Sequence, residues 1–192
     1  MQEPRIAAHD LACRRGDRLL FRGVTFGIEG GQAMQVAGAN GTGKSSLLRL
    51  LAGLTRPFAG TIERVGETGL LDERAALDPD LPLGRALAFW SSIDARSPAA
   101  VEALGLRELL DVPVRYLSTG QRKRAAMARL LGQNATIWLL DEPLNGLDVH
   151  AARVVEDLTA AHCASGGIAL IASHQPFALP NMTMLALQEY AV

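Results

Sequence analysis

Gly38-Ala39-Asn40-Gly41-Thr42-Gly43-Lys44-Ser45 is the stretch from which the fold of this chain follows. It satisfies the phosphate-loop pattern G-x-x-x-x-G-K-[ST] in full. Gly38, Gly41 and Gly43 lack the Cβ atoms that would keep a backbone from wrapping an anion, so successive N–H groups can aim at phosphate oxygens. Lys44 brings a point charge to the β and γ phosphates, and Ser45 offers a hydroxyl to Mg²⁺. The flanks agree. Ala33-Met34-Gln35-Val36-Ala37 is a mostly apolar run suited to a buried strand. Ser46 to Ala52 holds strong helix formers, and Gly53 can stop them. A strand, a glycine loop and a helix in that order place the positive end of the helix dipole at the anion site.

The 192 residues, 48% of them hydrophobic, suffice for one compact domain with a sizeable core, expected to span residues 1–192. A net charge of -1 argues against a surface built for nucleic acid, and no nucleic-acid partner is expected. No apolar run approaches the roughly 18 residues of a membrane helix. Met1-Gln2-Glu3-Pro4-Arg5 lacks the apolar core of a signal peptide. The expectation is a cytoplasmic protein that reaches a membrane only through a partner. Cys13 and Cys163 stand in no metal-ligand spacing and read as reduced structural thiols.

Arg5 to His9 and Leu19 to Ile28 contain short alternating stretches, and Gly30-Gly31 breaks the chain before the phosphate-loop strand. Together with Thr61 to Val65 they predict a small antiparallel sheet beside the nucleotide. Gly69 to Asp80 has no readable period. Gly84 to Ile93 predicts a helix, and Pro98 to Leu110 one or two short ones. This Ala- and Leu-rich block, from about residue 75, reads as a small helical subdomain reaching about residue 132. Trp90 within it is open to a core role or to a partner surface.

Ser118 followed three residues later by Gln121 is a capping box, so a helix starts there and runs to Gly132. Arg122, Lys123 and Arg124 fall in its first turn, where the helix dipole disfavours cations. A nearby anion or acidic surface would relieve that, and a solvated basic face is the plainer reading. Thr136 to Leu140 is an apolar strand that ends in Asp141-Glu142-Pro143. Acids at the carboxyl end of a buried strand stand where open α/β sheets bind ligands. Asp141 can hold Mg²⁺ through water, and Glu142 can orient and polarise an attacking water. Ile168 to Ala172 is a further buried strand and delivers Ser173-His174 to the same edge, where His174 can reach the γ phosphate. Met182 to Leu187 closes the sheet or packs a helix against it.

Taken in order, these pieces resemble the ATP-binding subunit of an ABC transporter over nearly the whole chain. Gly38 to Ser45 matches Walker A. Leu117 to Gln121 matches the family signature, with Thr119 where glycine is usual. Leu139 to Glu142 matches Walker B, Asn145-Gly146-Leu147-Asp148 the D-loop, and His174 the switch histidine. The resemblance implies an α/β fold of the P-loop NTPase type. It would combine a mostly parallel core sheet with an N-terminal antiparallel subdomain and the helical one. It implies ATP and Mg²⁺ as ligands, with Glu142 and His174 as catalytic residues and Ser45 and Asp141 at the metal. ATP would touch Gly38, Ala39, Asn40, Gly41, Thr42, Gly43, Lys44, Ser45 and Ser46. Two copies would face each other head to tail. Ser118, Gly120, Gln121 and Asp148 of one copy would then meet the nucleotide of the other, with the backbone N–H groups of Ser118 and Gly120 turned toward its γ phosphate. A transmembrane subunit would carry the transported molecule.

Two departures stand out. No Gln occurs between Gln35 and Gln121, where the family usually has one in the loop entering the helical subdomain; Glu73 or Arg74 falls near that place. Arg14, Arg15 and Gly16 stand where an aromatic usually stacks on adenine. An arginine plane can replace it, with Phe21 as the other choice. A narrower likeness lies in His174-Gln175-Pro176-Phe177 and the helix from Leu117 to Leu131. These resemble the haem-exporter branch of the family, which serves bacterial cytochrome c maturation at the cytoplasmic face of the inner membrane. Another ABC importer or exporter shares every motif. A soluble ABC-type ATPase acting on ribosomes or DNA lacks support from the charge and from the single short domain. A small-molecule kinase would not keep Glu142, which favours attack by water.

Overall fold

The computed structural model describes residues 3–94 and 101–192. Two sheets share one core. Strands β1 (Arg5–Arg15), β2 (Arg18–Glu29) and β4 (Ala59–Val65) form an antiparallel sheet in the order β2-β1-β4. Strands β3 (Ala33–Ala37), β5 (Thr68–Leu71), β6 (Ile137–Asp141), β7 (Ile168–Ala172) and β8 (Thr183–Ala186) form a parallel sheet in the order β5-β6-β7-β3-β8. The α/β class with a parallel core and an N-terminal antiparallel sheet is therefore observed. Helices α1 (Lys44–Leu51), α2 (Leu83–Asp94), α3 (Thr119–Gly132) and α4 (Val149–Ala164) surround the parallel sheet.

Side-chain alternation explains how this sheet is sealed on both faces. Met34, Val36, Ile137, Leu139, Ile168 and Leu170 pack with Leu47, Leu48 and Leu51 of α1 and with Ile6, Phe21 and Ile28 of the antiparallel sheet. The intervening residues Trp138, Leu140, Ala169 and Ile171 face the other way, onto Ala125, Met127 and Leu130 of α3 and Val155 of α4. Strands covered on both faces read as apolar runs, which is why β6 and β7 showed so clearly in the sequence. Leu48 has no exposed surface, so truncation to Ala is expected to cost about 2–5 kcal/mol.

Parallel pairing brings the carboxyl ends of β3, β6 and β7 level. Asp141 pairs with Ala172 across β6 and β7, and Val36 pairs with Ala172 across β3 and β7. The three motifs that leave these strands consequently meet at one edge, as open α/β sheets require of a ligand site.

Some expectations change. Thr68–Leu71 is an edge strand beside β6 that overlaps the start of the unreadable stretch from Gly69; four residues are too few to show a period. Helix α1 begins at Lys44, before the run that marked it. The expected helices after Pro98 reduce, among described residues, to a turn and a short 3-10 segment at Arg107–Leu109, and Pro98 itself lies outside the described residues. Trp90 is partly buried and packs against the core. Its Nε1 donates to the Ala76 carbonyl at 2.6 Å, and Arg129 of α3 lies 4.0 Å from its ring centre. Met182 to Leu187 supplies edge strand β8 rather than a helix against the sheet. Cys13 and Cys163 are buried and free.

Candidate active site

The phosphate loop shows why glycine recurs in it. Gly41 and Gly43 have φ of 84° and 103°, the left-handed region that L side chains rarely enter. A Cβ at Gly43 would also stand 3.0 Å from the Phe21 ring. Lys44 is 6% exposed. Its Nζ donates to the carbonyls of Gly38 (2.8 Å) and Ala39 (3.3 Å) and lies 3.8 Å from Glu142 Oε1. The ammonium is thus held inside the loop that forms the cradle. Thr42 Oγ1 donates to the Ala39 carbonyl and closes the turn.

Asp141 is the last residue of β6 and is 4% exposed. Its Oδ1 has no hydrogen-bond partner. Burial raises its pKa above the usual carboxylate value. The hydrogen-bonded Ser45 hydroxyl lowers it, Glu142 raises it, Lys123 lowers it and Glu73 raises it. A buried carboxylate oxygen without a partner, next to the Ser45 hydroxyl, is a donor set suited to a hard divalent cation such as Mg²⁺. Glu142 follows with φ of 46°, one of three non-glycine residues in the left-handed region among the described residues. Its N–H donates to the Ala172 carbonyl at 2.8 Å. Its Oε2 accepts from His174 Nδ1 at 2.9 Å. The predicted catalytic pair is therefore in contact.

Lys123 corrects the solvated-face reading of the basic turn. Its Nζ donates to the Asp141 carbonyl at 3.2 Å. Burial lowers its pKa, and the nearby Asp141, Glu73, Glu142 and Asp72 raise it. Arg124 donates to the carbonyls of Leu104 and Gly105. These cations secure α3 to neighbouring segments.

A cavity of about 370 Å³ lies over the phosphate loop. Asn40, Lys44, Ser45 and Ser46 line it, with Glu142 on one side and Arg15 and Arg18 on another. Between the two candidates left open in the helical-subdomain loop, Glu73 faces this cavity. Arg74 does not line it, and its backbone N–H donates to Asp72 Oδ1. Arg15 is the arginine of the N-terminal turn that lines the cavity, and Arg14 instead lies over the Phe58 ring at 4.9 Å. Arg18 had no sequence signal, because only the β1–β2 pairing sets it opposite Arg15. Phe21 has no exposed surface and cannot stack on a base.

The signature turn lies outside this cavity. Ser118 Oγ accepts from Gln121 N at 3.2 Å, and Gln121 Oε1 accepts from Ser118 N at 2.8 Å, so the capping box is complete. The expectation that Ser118 offers a spare backbone N–H is corrected, since the box uses it. The N–H groups of Thr119 and Gly120 are left without an intrahelical acceptor. Gly120 is required by packing: a Cβ there would stand 2.5 Å from the Gly146 carbonyl oxygen. Thr119, the departure from the family pattern, is exposed and has room. Asp148 caps α4, accepting from Ala151 N at 2.8 Å.

Comparison with known proteins agrees with this geometry. The ABC transporter family profile matches residues 21–145. A Novosphingobium aromaticivorans protein named cytochrome c biogenesis ATP-binding export protein CcmA is 57% identical over 99% of both chains. The Zymomonas mobilis protein of that name is 49% identical, over 97% of this chain and 86% of its own. Among solved structures, an ABC transporter in an inward-facing conformation aligns with a TM-score of 0.80 at 25% identity. That alignment covers 98% of this chain and 81% of the other.

Proposed function

The chain belongs to the ABC transporter family as an ATP-binding ATPase subunit, and from that membership we propose that it drives the export step of cytochrome c biogenesis. The full-length similarity to proteins named for that role supports the assignment. In this reading it exports through a transmembrane partner, which recruits it to the cytoplasmic face of the inner membrane. The cargo of the haem-exporter branch touches that partner and not this chain. No helix among the described residues is long and apolar enough to cross a membrane.

The observation that carries the mechanism is the Lys44–Glu142–His174 cluster at the mouth of the phosphate loop. ATP lies along Gly38 to Ser46, with backbone N–H groups and Lys44 on its phosphates. Lys44 exchanges the Gly38 and Ala39 carbonyls for phosphate oxygens, which are stronger acceptors. Ser45 and Asp141 would hold Mg²⁺, which neutralises charge on the β and γ phosphates. Glu142 accepts a proton from the attacking water as the water oxygen bonds to the γ phosphorus, the bond from that phosphorus to the β,γ-bridging oxygen breaks, and ADP leaves with the electron pair. His174 gives Nδ1–H to Glu142 and so fixes the direction of the carboxylate, leaving Nε2 toward the transferred phosphoryl group. Glu73 stands where the family's glutamine would and is the residue placed to report the nucleotide to the helical subdomain.

A second copy completes the site. The α3 N-terminus, with its unpaired Thr119 and Gly120 N–H groups, meets the γ phosphate held by the partner chain. Ser118 Oγ, Gln121 and Asp148 border the same seam. ATP then joins the two copies and hydrolysis separates them.

Glu142→Gln is the direct test. ATP affinity is expected to stay within about twofold while turnover falls by about 10²–10⁴, the range of a general base. The paired form should accumulate with ATP. Turnover at the parent rate in the assembled transporter would remove Glu142 from the mechanism.

A further inference from the structure

β3 contains a residue out of keeping with its surroundings. Gln35 is the polar member of Ala33–Ala37, lies between β7 and β8, and is 6% exposed. This strand is buried on both faces, and a polar side chain there is destabilising unless it is bonded. Gln35 is bonded, and its partners are informative. Its Nε2 donates to the carbonyl of Gln175 at 2.9 Å and to that of Ser173 at 3.4 Å. These are the residues on either side of His174. Because both partners are carbonyls, the amide nitrogen must face them, so the orientation of the amide is set by chemistry.

The same short segment is tied a second time. Ser173, 2% exposed, donates Oγ–H to the Gln175 carbonyl at 2.9 Å and accepts from Gln175 N at 3.0 Å. The backbone around His174 is thereby fixed to β3, the strand that leads into the phosphate loop. The His174 side chain remains half exposed and makes its contact with Glu142 Oε2 at 2.9 Å. A ring on an otherwise free turn would lose that distance with small backbone rotations, and displacement of about 1 Å can cost about 10²-fold in rate.

We propose that Gln35 is a positioning residue for the hydrolytic step. It transmits the place of the phosphate-loop strand to His174, and through His174 to Glu142. This rests on the assignment of His174 and Glu142 to catalysis made above. Gln35 itself does not line the cavity over the phosphate loop. A methionine at this position fills the same volume without a donor.

The experiment is a cycle of four full-length proteins: the parent, Gln35→Met, His174→Ala and the double variant. ATP turnover and ATP affinity are measured for each. Gln35→Met is expected to lower kcat about tenfold with KM for ATP within about twofold, and to add no further loss in the His174→Ala background. Losses that multiply in the double variant, or an unchanged kcat in Gln35→Met while His174→Ala is impaired, overturn the proposal and leave the catalytic assignment standing. Parent turnover in His174→Ala overturns the role of His174, and the role of Gln35 with it. Should Gln35→Met fail to fold, hydrogen exchange of the parent protein decides. The Gln35 side-chain amide protons are expected to exchange at least about 100-fold more slowly than those of an exposed glutamine. Exchange at the exposed rate refutes the clamp.

Discussion

At the carboxyl edge of the parallel sheet, charged groups are buried and one oxygen of Asp141 is left without a partner. At the start of α3, Ser118 is exposed, and its hydroxyl and N–H are both matched by Gln121. The sheet edge is stable only because several elements force like charges and a strained Glu142 together. At the α3 turn Ser118 and Gln121 satisfy each other, and the N–H groups of Thr119 and Gly120 are left without an intrahelical acceptor. The difference teaches that the costly, internal arrangement sits at the sheet edge while the exposed α3 turn is held by local bonds; in the proposed two-copy mechanism the first does the chemistry and the second meets the other chain. In that proposal the strain at Glu142 belongs to the chemistry and the locally held turn at Ser118 to docking.

The contrast can be broken at either end. The largest effect is expected from Lys44→Met, which removes the buried cation at the phosphates. ATP affinity should fall about 10- to 100-fold, the scale of lost hydrogen bonds to a charged group, as read by equilibrium nucleotide binding. Affinity unchanged from the parent would show that the loop backbone alone holds the phosphates. At the other end, Gly120→Ala drives a Cβ against the Gly146 carbonyl. One copy should still bind ATP with parent affinity, while ATP-dependent pairing weakens about tenfold or more in sedimentation of the Glu142→Gln background. Equal pairing would place the contact between copies elsewhere.

The smallest effect sharpens the energetic side. Burial raises the Asp141 pKa above its unfolded value near 3.9, so the folded chain binds this proton more tightly than the unfolded chain. The stability Asp141 contributes is present below that unfolded value and is lost as pH rises through the folded one. Asp141→Asn removes this loss. In urea unfolding without nucleotide, the variant should gain about 1 kcal/mol over the parent at neutral pH, with the gain shrinking as pH falls toward 4. A gain independent of pH would mean that the carboxylate charge is not its source.

The legible parts of this protein were those whose atoms are neighbours in sequence. The phosphate loop, the capping box and the buried runs of β6 and β7 each carry their own turn chemistry or period. So did the resemblance that named the fold and the family. Thr68–Leu71 was too short to show a period and becomes a strand only by pairing with β6. The choice of Glu73 over Arg74 needed the direction in which the loop leaves that strand. Lys123 looked like surface charge because its acceptor, the Asp141 carbonyl, is 18 residues away. Gln35 looked like an imperfection in an apolar run because its acceptor at Gln175 is 140 residues away.

By itself, then, the sequence determined a glycine loop at Gly38–Ser45 suited to a triphosphate, acids at the end of β6, and a helix capped by Ser118. Such features depend on backbone conformations that a few adjacent residues dictate. Only the tertiary structure decided that His174 rests on Glu142, that Arg15 and Arg18 border the cavity over the phosphate loop, and that Gln35 ties the histidine turn to the phosphate-loop strand. Those contacts exist because parallel strands far apart in the chain are laid side by side, and strand order in a sheet is set by the packing of the whole core.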